Sequence, residues 1–250
     1  MISISYNYSS NDIEFLEQCI EQAKIVTDDI HFTHVDKFFN GDEENKFLID
    51  QSKKIAKNIN FHELKFQDFS KQMPDKKIRF KYWHNACRLN NTYNSKYKYV
   101  LYLDGDEILD GIELKKWLNN GFEKFNCYVF NVYWYFRSKN YQAKTFEEGP
   151  IMVNKNLLTN EDIMNISERW ALLKNPCARS INSLDNKPMI HHFSWAKGNS
   201  DEECKRKLLS KVESWGHSTD RDWKSQIEEE FSRPFNGTDF VHNYNYNILI

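Results

Sequence analysis

From Tyr99 to Leu103 five consecutive residues are apolar or aromatic, and the run stops at Asp104. A strand without polar alternation has to be covered on both faces, which places it in the middle of a largely parallel sheet with helices on either side. The residues before it repeat strand and helix. Ile2-Ser3-Ile4-Ser5-Tyr6 reads as a first strand, Ser9-Ser10-Asn11-Asp12 offers N-cap side chains, and Ile13, Leu16, Ile20 and Ala23 share one helical face. Ile30 to Val35 gives a second strand ending at Asp36, the stretch from Gly41 enters a helix carrying Leu48 and Ile55, and Phe61 to Phe66 reads as a third strand. Pro74-Asp75 opens a helix whose Ile78, Tyr82, Ala86, Leu89 and Tyr93 form the expected core stripe. After the central strand, Asp110 and Glu113 cap a helix that Asn120-Gly121 stops.

The second half turns to aromatic strands, from Cys127 to Phe136, from Ile151 to Val153 and from Met189 to Phe193. Gly149-Pro150 reads as a turn. Ser200 then caps a helix bearing Cys204, Leu208, Val212 and Trp215 and ended by Gly216, and a further helix carries Trp223, Ile227 and Phe231. The pattern predicts an α/β fold, a three-layer sandwich around a mostly parallel mixed sheet, with residues 1-195 as the main domain and 196-250 as a helical extension packed on it.

Composition narrows the function. A chain of 250 residues fits one core, and 40% hydrophobic with 15% aromatic residues excludes a disordered chain. A net charge of -2 gives no field to gather nucleic acid, so phosphate recognition has to be local. Five cysteines, odd in number and never in a C-x-x-C pair, argue against a disulfide framework and a zinc knuckle and point to a reducing, cytoplasmic setting. No apolar run approaches the roughly 20 residues of a membrane span, which leaves peripheral membrane contact open.

Asp104-Gly105-Asp106-Glu107 follows the buried strand, at the strand end where open α/β sheets bind ligands. Two carboxylates at i and i+2 on a tight turn can share a hard cation, Mn²⁺ or Mg²⁺, while Gly105 leaves room for a bulky anion near the backbone. A second copy, Asp220-Arg221-Asp222, lies beside a helix start and is explained by capping. An EF-hand fails, since Leu109 stands where that loop needs Gly and Lys115 where it needs Glu. Neither G-x-G-x-x-G nor G-x-x-x-x-G-K-[ST] occurs.

Taken in order, Ile2 to Asn7, Phe15 to Ile20, His84-Asn85-Ala86 and Tyr99 to Glu107 resemble the GT-A glycosyltransferases, particularly family 2, over roughly residues 1-110. The Asp-Gly-Asp-Glu form is similar to the D-x-D-E of bacterial and viral enzymes that build surface glycans. The resemblance implies a nucleotide-sugar donor, with UDP-sugar the first class, a Mn²⁺ or Mg²⁺ ion, and transfer to a hydroxyl of a glycan or lipid-linked acceptor. By position it implies Tyr6 near the base, Asp36 near base or ribose, His84 and Asn85 at the donor, Asp104 at ribose or metal, and Asp106 as principal metal ligand. Asp36-Lys37-Phe38-Phe39 and His84-Asn85-Ala86 depart from the family's Asp-Asp-Gly-Ser and Arg-Asn-Ala.

An inverting transfer also needs a carboxylate base. The candidates are Glu147-Glu148, Glu161-Asp162 and Glu168, ranked with Glu148 first and Asp162 next. Adjacent strand residues face opposite sides, so one of His191 and His192 can reach the site, and His192 is the metal candidate. Arg169, Arg179 and Lys197 are candidates for phosphate, and Tyr133 to Phe136 with Trp170 and Trp195 for sugar stacking. Two other functions fit less well. A sugar-nucleotide nucleotidyltransferase needs a Gly-rich phosphate loop, and a non-catalytic glycan-binding protein would use only the aromatics.

Overall fold

A computed structural model describes residues 1–39, 41–214 and 221–249. Strand β1 (Ile2–Asn7), a 3₁₀ turn (Ser10–Asp12), helix α1 (Ile13–Val26), β2 (Ile30–Val35), α2 (Lys46–Ile55), β3 (Asn60–Leu64), α3 (Lys76–Asn94) and β4 (Tyr99–Asp104) alternate as expected. A short β5 (Glu107–Leu109) and α4 (Gly111–Asn119) follow. The hairpin of β6 (Cys127–Phe136) and β7 (Ser138–Asn154) leads to α5 (Asn160–Ile163), a 3₁₀ turn (Glu168–Leu172), β8 (Cys177–Ile181) and β9 (Ile190–Trp195). The chain closes with α6 (Asp201–Ser214), α7 (Trp223–Glu230) and β10 (Tyr246–Ile248). Trp215, Gly216 and Asp220 lie outside the described residues.

The sheet runs β3-β2-β1-β4-β7-β6-β9-β5, with β10 beside β7 and β8 beside β6. Its first four strands are parallel, and β7 joins β4 antiparallel. The layered α/β architecture expected of a GT-A-like chain is therefore present, with a mixed sheet and helices on both faces.

Strand parity assigns each residue its layer. Ile2, Ile4 and Tyr6 of β1 and Tyr99, Leu101 and Leu103 of β4 pack with Phe15, Leu16 and Cys19 of α1. The alternate residues Val100 and Tyr102 pack on the opposite face with Leu89 of α3. Both faces of β4 are thus dry, as its composition required.

The expected stripe of α3 is not the buried one. Ile78 is 38% and Tyr93 66% exposed, whereas His84, Asn85, Arg88, Asn91 and Thr92 are buried. Periodicity failed here because the helix docks through polar side chains. Asn91 donates to Ser5 Oγ and to the Tyr6 carbonyl, both at 3.0 Å, and accepts from the Thr33 hydroxyl at 2.5 Å. It thereby ties α3 to β1 and β2. Asp75 caps the helix as expected, accepting from the amides of Lys77 and Ile78.

Gly149-Pro150 is not a turn either. Both residues sit inside β7, where the register slips between the pairs Val129 with Ile151 and Asn131 with Glu148, a bulge that suits a residue lacking an amide hydrogen. All five cysteines are free thiols. Among the described residues no helix is long and apolar enough to cross a membrane.

The Asn91 contacts make a clear prediction. Asn91→Ala leaves Ser5, Thr33 and the Tyr6 carbonyl short of partners and should cost about 2–3 kcal/mol. Urea denaturation midpoints at unchanged slope would show the loss.

Candidate active site

The carboxyl ends of β1 and β4 lie side by side, with Asn7 paired to Asp104. They open onto a cavity of about 180 Å³ whose wall includes Asn7, Asp104, Gly105, Asp106, His192 and Lys211. Parity explains the first two. Tyr6 and Leu103 point down toward α1, so Asn7 and Asp104 point to the α3 side, where His84 and Arg88 wait.

The turn after β4 is held by its own last carboxylate. Glu107, fully buried, accepts the Asp104 amide at 2.8 Å and forms a two-point pair with Arg169 at 2.6 and 2.9 Å. Short β5 then pairs with β9, bringing Glu107 opposite His192, and the Phe193 amide donates to the Asp106 carbonyl at 2.9 Å. What approaches Gly105 is protein: a Cβ there would lie 3.0 Å from the Asp12 side chain and 3.3 Å from the Asn7 carbonyl oxygen. The glycine makes room for Asp12, where an anionic ligand was expected.

Asp104 and Asp106 have separate partners. Asp104 faces His84 (3.2 Å), Arg169 (3.4 Å) and Arg88 (3.7 Å). Burial would raise its pKa, but Arg169, His84 and Arg88 hold it well below the usual carboxylate range. Asp106 presents Oδ2 to the ammonium groups of Lys197 and Lys211, each at 3.5 Å, and Oδ1 to His192 Nε2, also at 3.5 Å. Burial is again outweighed, here by Lys211, Lys197 and His192, and the Asp106 carboxyl stays ionised. Lys197 also pairs with buried Asp12, which with Asp106 more than offsets its burial and raises its pKa. Lys211 donates to the Ser194 carbonyl at 3.1 Å, and burial pulls its pKa down.

The groups beside Asp106 include two of the donor types a divalent ion takes. A carboxylate oxygen and an imidazole nitrogen, 3.5 Å apart on the cavity wall, are ligand types that Mn²⁺ accepts. Among the described residues no group of three or more His, Cys, Asp or Glu side chains is set to hold a metal. The chain thus offers two ligands, and an ion would take its remaining oxygens from substrate phosphate and water, a common arrangement for Mg²⁺. Asp106 and Glu107 raise the His192 pKa against the effect of burial, so ion binding would release a proton.

Neither a protein-family model nor a curated protein matches this chain. Solved structures resemble it at low identity. A TarS structure from S. aureus is 12% identical, with TM-score 0.42, over 92% of this chain and 70% of that one. A second, longer TarS structure gives TM-score 0.47, and this chain spans 42% of it. The glycosyltransferase GlyE of Streptococcus pneumoniae TIGR4 is 14% identical, with TM-score 0.40, over 92% of this chain and 63% of that one.

The cavity brings together His84, Asp104, Asp106 and His192. Glu168 and Lys197 line it as well, with Arg169 pairing behind it to Asp104 and Glu107, and the other sequence candidates lie elsewhere. Tyr6 is fully buried and stacks on Phe32 at 4.4 Å, on the α1 side of the sheet. Asp36 accepts the Phe66 amide at 2.7 Å and pairs with Lys65. Asn85 donates to the Asn165 carbonyl and accepts from Arg88, a bracing role behind His84. Glu148 is bound by Arg179 and Ser180, and Asp162 closes the capping box of α5 and pairs with Lys174 at 2.8 Å. Both carboxylates are occupied by structural partners away from the cavity. Of the proposed bases only Glu168 lines it. His191 points to the other side of β9 and bonds the Tyr135 hydroxyl at 2.7 Å. Asp222 caps α7 through the Ser225 amide. Among the proposed sugar-stacking rings, Trp195 is buried and Trp170 is 44% exposed beside Arg179.

Asn7, Asp12 and Lys211 are cavity residues that sequence reasoning missed. Two signals were available. Asn7 ends a parallel strand next to the D-x-D strand, and Lys211 continues the Cys204-Leu208 stripe of α6 at i+7, an unusual place for a lysine.

The Asp12 and Lys197 pair is testable as a cycle. Lys197→Met alone strands a buried carboxylate and should cost about 3–5 kcal/mol, most of it recovered by Asp12→Asn with Lys197→Met. Urea midpoints of the two single variants and the double variant would measure this.

Proposed function

We propose that this chain is a glycosyltransferase that takes a sugar from a nucleotide-sugar donor, of the UDP-sugar class, to a hydroxyl acceptor. One observation carries the reading: Asp106, His192 and two buried lysines meet on one cavity at the carboxyl end of the central strand. Charge of both signs in a partly dry pocket suits a diphosphate leaving group, which needs cations facing it and an anchored polar frame around them.

In this reading Lys197 and Lys211 face the diphosphate and take up the charge that grows on it as the glycosidic bond breaks. Ser194 keeps the Lys211 ammonium aimed. Asn7, 5% exposed and with both amide atoms unpartnered, offers a donor and an acceptor to the nucleoside. Asp106 Oδ1 and His192 Nε2 would hold a Mn²⁺ or Mg²⁺ ion, which when bound adds neutralising charge at the diphosphate. Glu168 is the acceptor-side base. His84, Arg88 and Lys81 outweigh burial and hold its carboxyl at a pKa of about 2, so it is ionised, and the base role requires that bound acceptor loosen these pairings, since so low a pKa makes a weak base. Its backbone is held at φ 55°, a left-handed conformation that costs a non-glycine residue free energy and that occurs often at working sites.

Thermal denaturation tests the donor reading. UDP with Mn²⁺ should raise Tm, and His192→Asn should lose the Mn²⁺-dependent increment while keeping that of the nucleotide. Absence of any shift with nucleoside diphosphates, with or without metal, would overturn the assignment. For the base, Glu168→Gln should lower transfer by on the order of 100-fold or more while UDP binding is little changed. Undiminished transfer would remove Glu168 from the role.

A further inference from the structure

His192 packs against a second polar group outside the donor cavity. Trp134 of β6 meets the His192 ring edge-on at 4.6 Å between centroids and the His242 ring at 4.5 Å, both nearly perpendicular. Trp134 is 6% exposed, and its indole Nε1 has no hydrogen-bond partner. Neither have His242 Nδ1 or Glu147 Oε2, both shielded from solvent. Glu147 stands opposite Val132 in the hairpin, one alternation from Trp134, so it shares the Trp134 and His192 face while Glu148 turns to Arg179.

This group is built. Asp239, 1% exposed, accepts the amides of Val241, His242 and Tyr244 at 2.7, 2.5 and 3.0 Å and the Tyr246 hydroxyl at 2.9 Å. That fan of bonds fixes the loop carrying His242, and Tyr244 stacks on the imidazole at 5.1 Å. Buried polar atoms are normally paired, so an open indole N–H and an open imidazole side by side, with an open carboxylate oxygen on the same strand face, are a ligand's complement. They supply an N–H donor, a carboxylate acceptor and an imidazole nitrogen, which together match sugar hydroxyls that donate and accept at once.

We infer that Trp134, Glu147 and His242 form the acceptor subsite and bind the hydroxyls of a hexose-like acceptor next to the donor cavity. As an acceptor site it rests on the donor reading above, whereas sugar binding there needs no nucleotide. Saturation-transfer NMR with a panel of methyl hexosides tests it, using the whole chain with and without UDP. At least one hexoside should bind the unaltered protein. Trp134→Phe, which removes the indole N–H together with the pyrrole ring that carries it, and Glu147→Gln, which keeps the side-chain shape, should each weaken that hexoside by about tenfold or more, at least the effect of one lost buried hydrogen bond. UDP-induced stabilisation in both variants would show that they fold. Hexoside binding unchanged in both variants, or no binding of any hexoside to the unaltered protein, would overturn the subsite. A protein that binds hexosides but no nucleoside diphosphate would keep the sugar site and sink the donor reading instead.

Discussion

Asp106 is a carboxylate nearly shut off from water, and such a charge is tolerable only beside cations of its own. Those cations come from far along the chain. Lys197 follows β9, Lys211 lies on α6, and His192 is in β9 itself. The acidic turn therefore cannot keep its shape unless β9 lies beside β5 and α6 closes over both. Residues past 195, read from the sequence as an extension, contribute two of the groups around the cavity. A boundary drawn there would cut through the site.

Strand parity is the second organising constraint. In β1 it sends Tyr6 into the α1 core and Asn7 to the cavity, in β7 it separates Glu147 from Glu148, and in β9 it separates His191 from His192. Each pair is a one-residue choice between opposite faces. A register slip of one residue anywhere in these strands would exchange the whole set of cavity groups for core groups.

The early alternation of strand and helix was legible because its signals are local. The apolar faces of α1 and α6 and the Asp75, Asp110 and Ser200 caps each act within a few residues, and each acts where expected. The buried β4 and its terminal Asp104 were legible for the same reason. Parity without register was not enough to decide between neighbouring residues. The family position suggested Tyr6, although Asn7 faces the cavity, and the supposed Gly149-Pro150 turn favoured Glu148, although Glu147 shares the His192 face. The stripe on α3 misled in a different way. Hydrophobic periodicity assumes that helices dock through apolar residues, and this one docks through His84, Arg88 and Asn91 because it must serve the charges at the end of β4. Arg169 and Lys211 act on carboxylates 62 and 105 residues away, distances at which sequence spacing carries no information.

That polar docking bears on what the fold is for. A hydrophobic replacement for a buried ion cluster is often as stable or more so, so stability alone does not account for five carboxylates, two lysines and two arginines gathered at one end of this sheet. The same end holds Asn7 with its amide unpaired and Glu168 with a left-handed backbone. β4 itself obeys ordinary rules and is dry on both faces, and further open polar atoms lie next to the cavity at Trp134, Glu147 and His242. A charged cluster, an unpaired amide and a strained backbone around one cavity, which stability alone does not explain, support the reading of this end of the sheet as a ligand site.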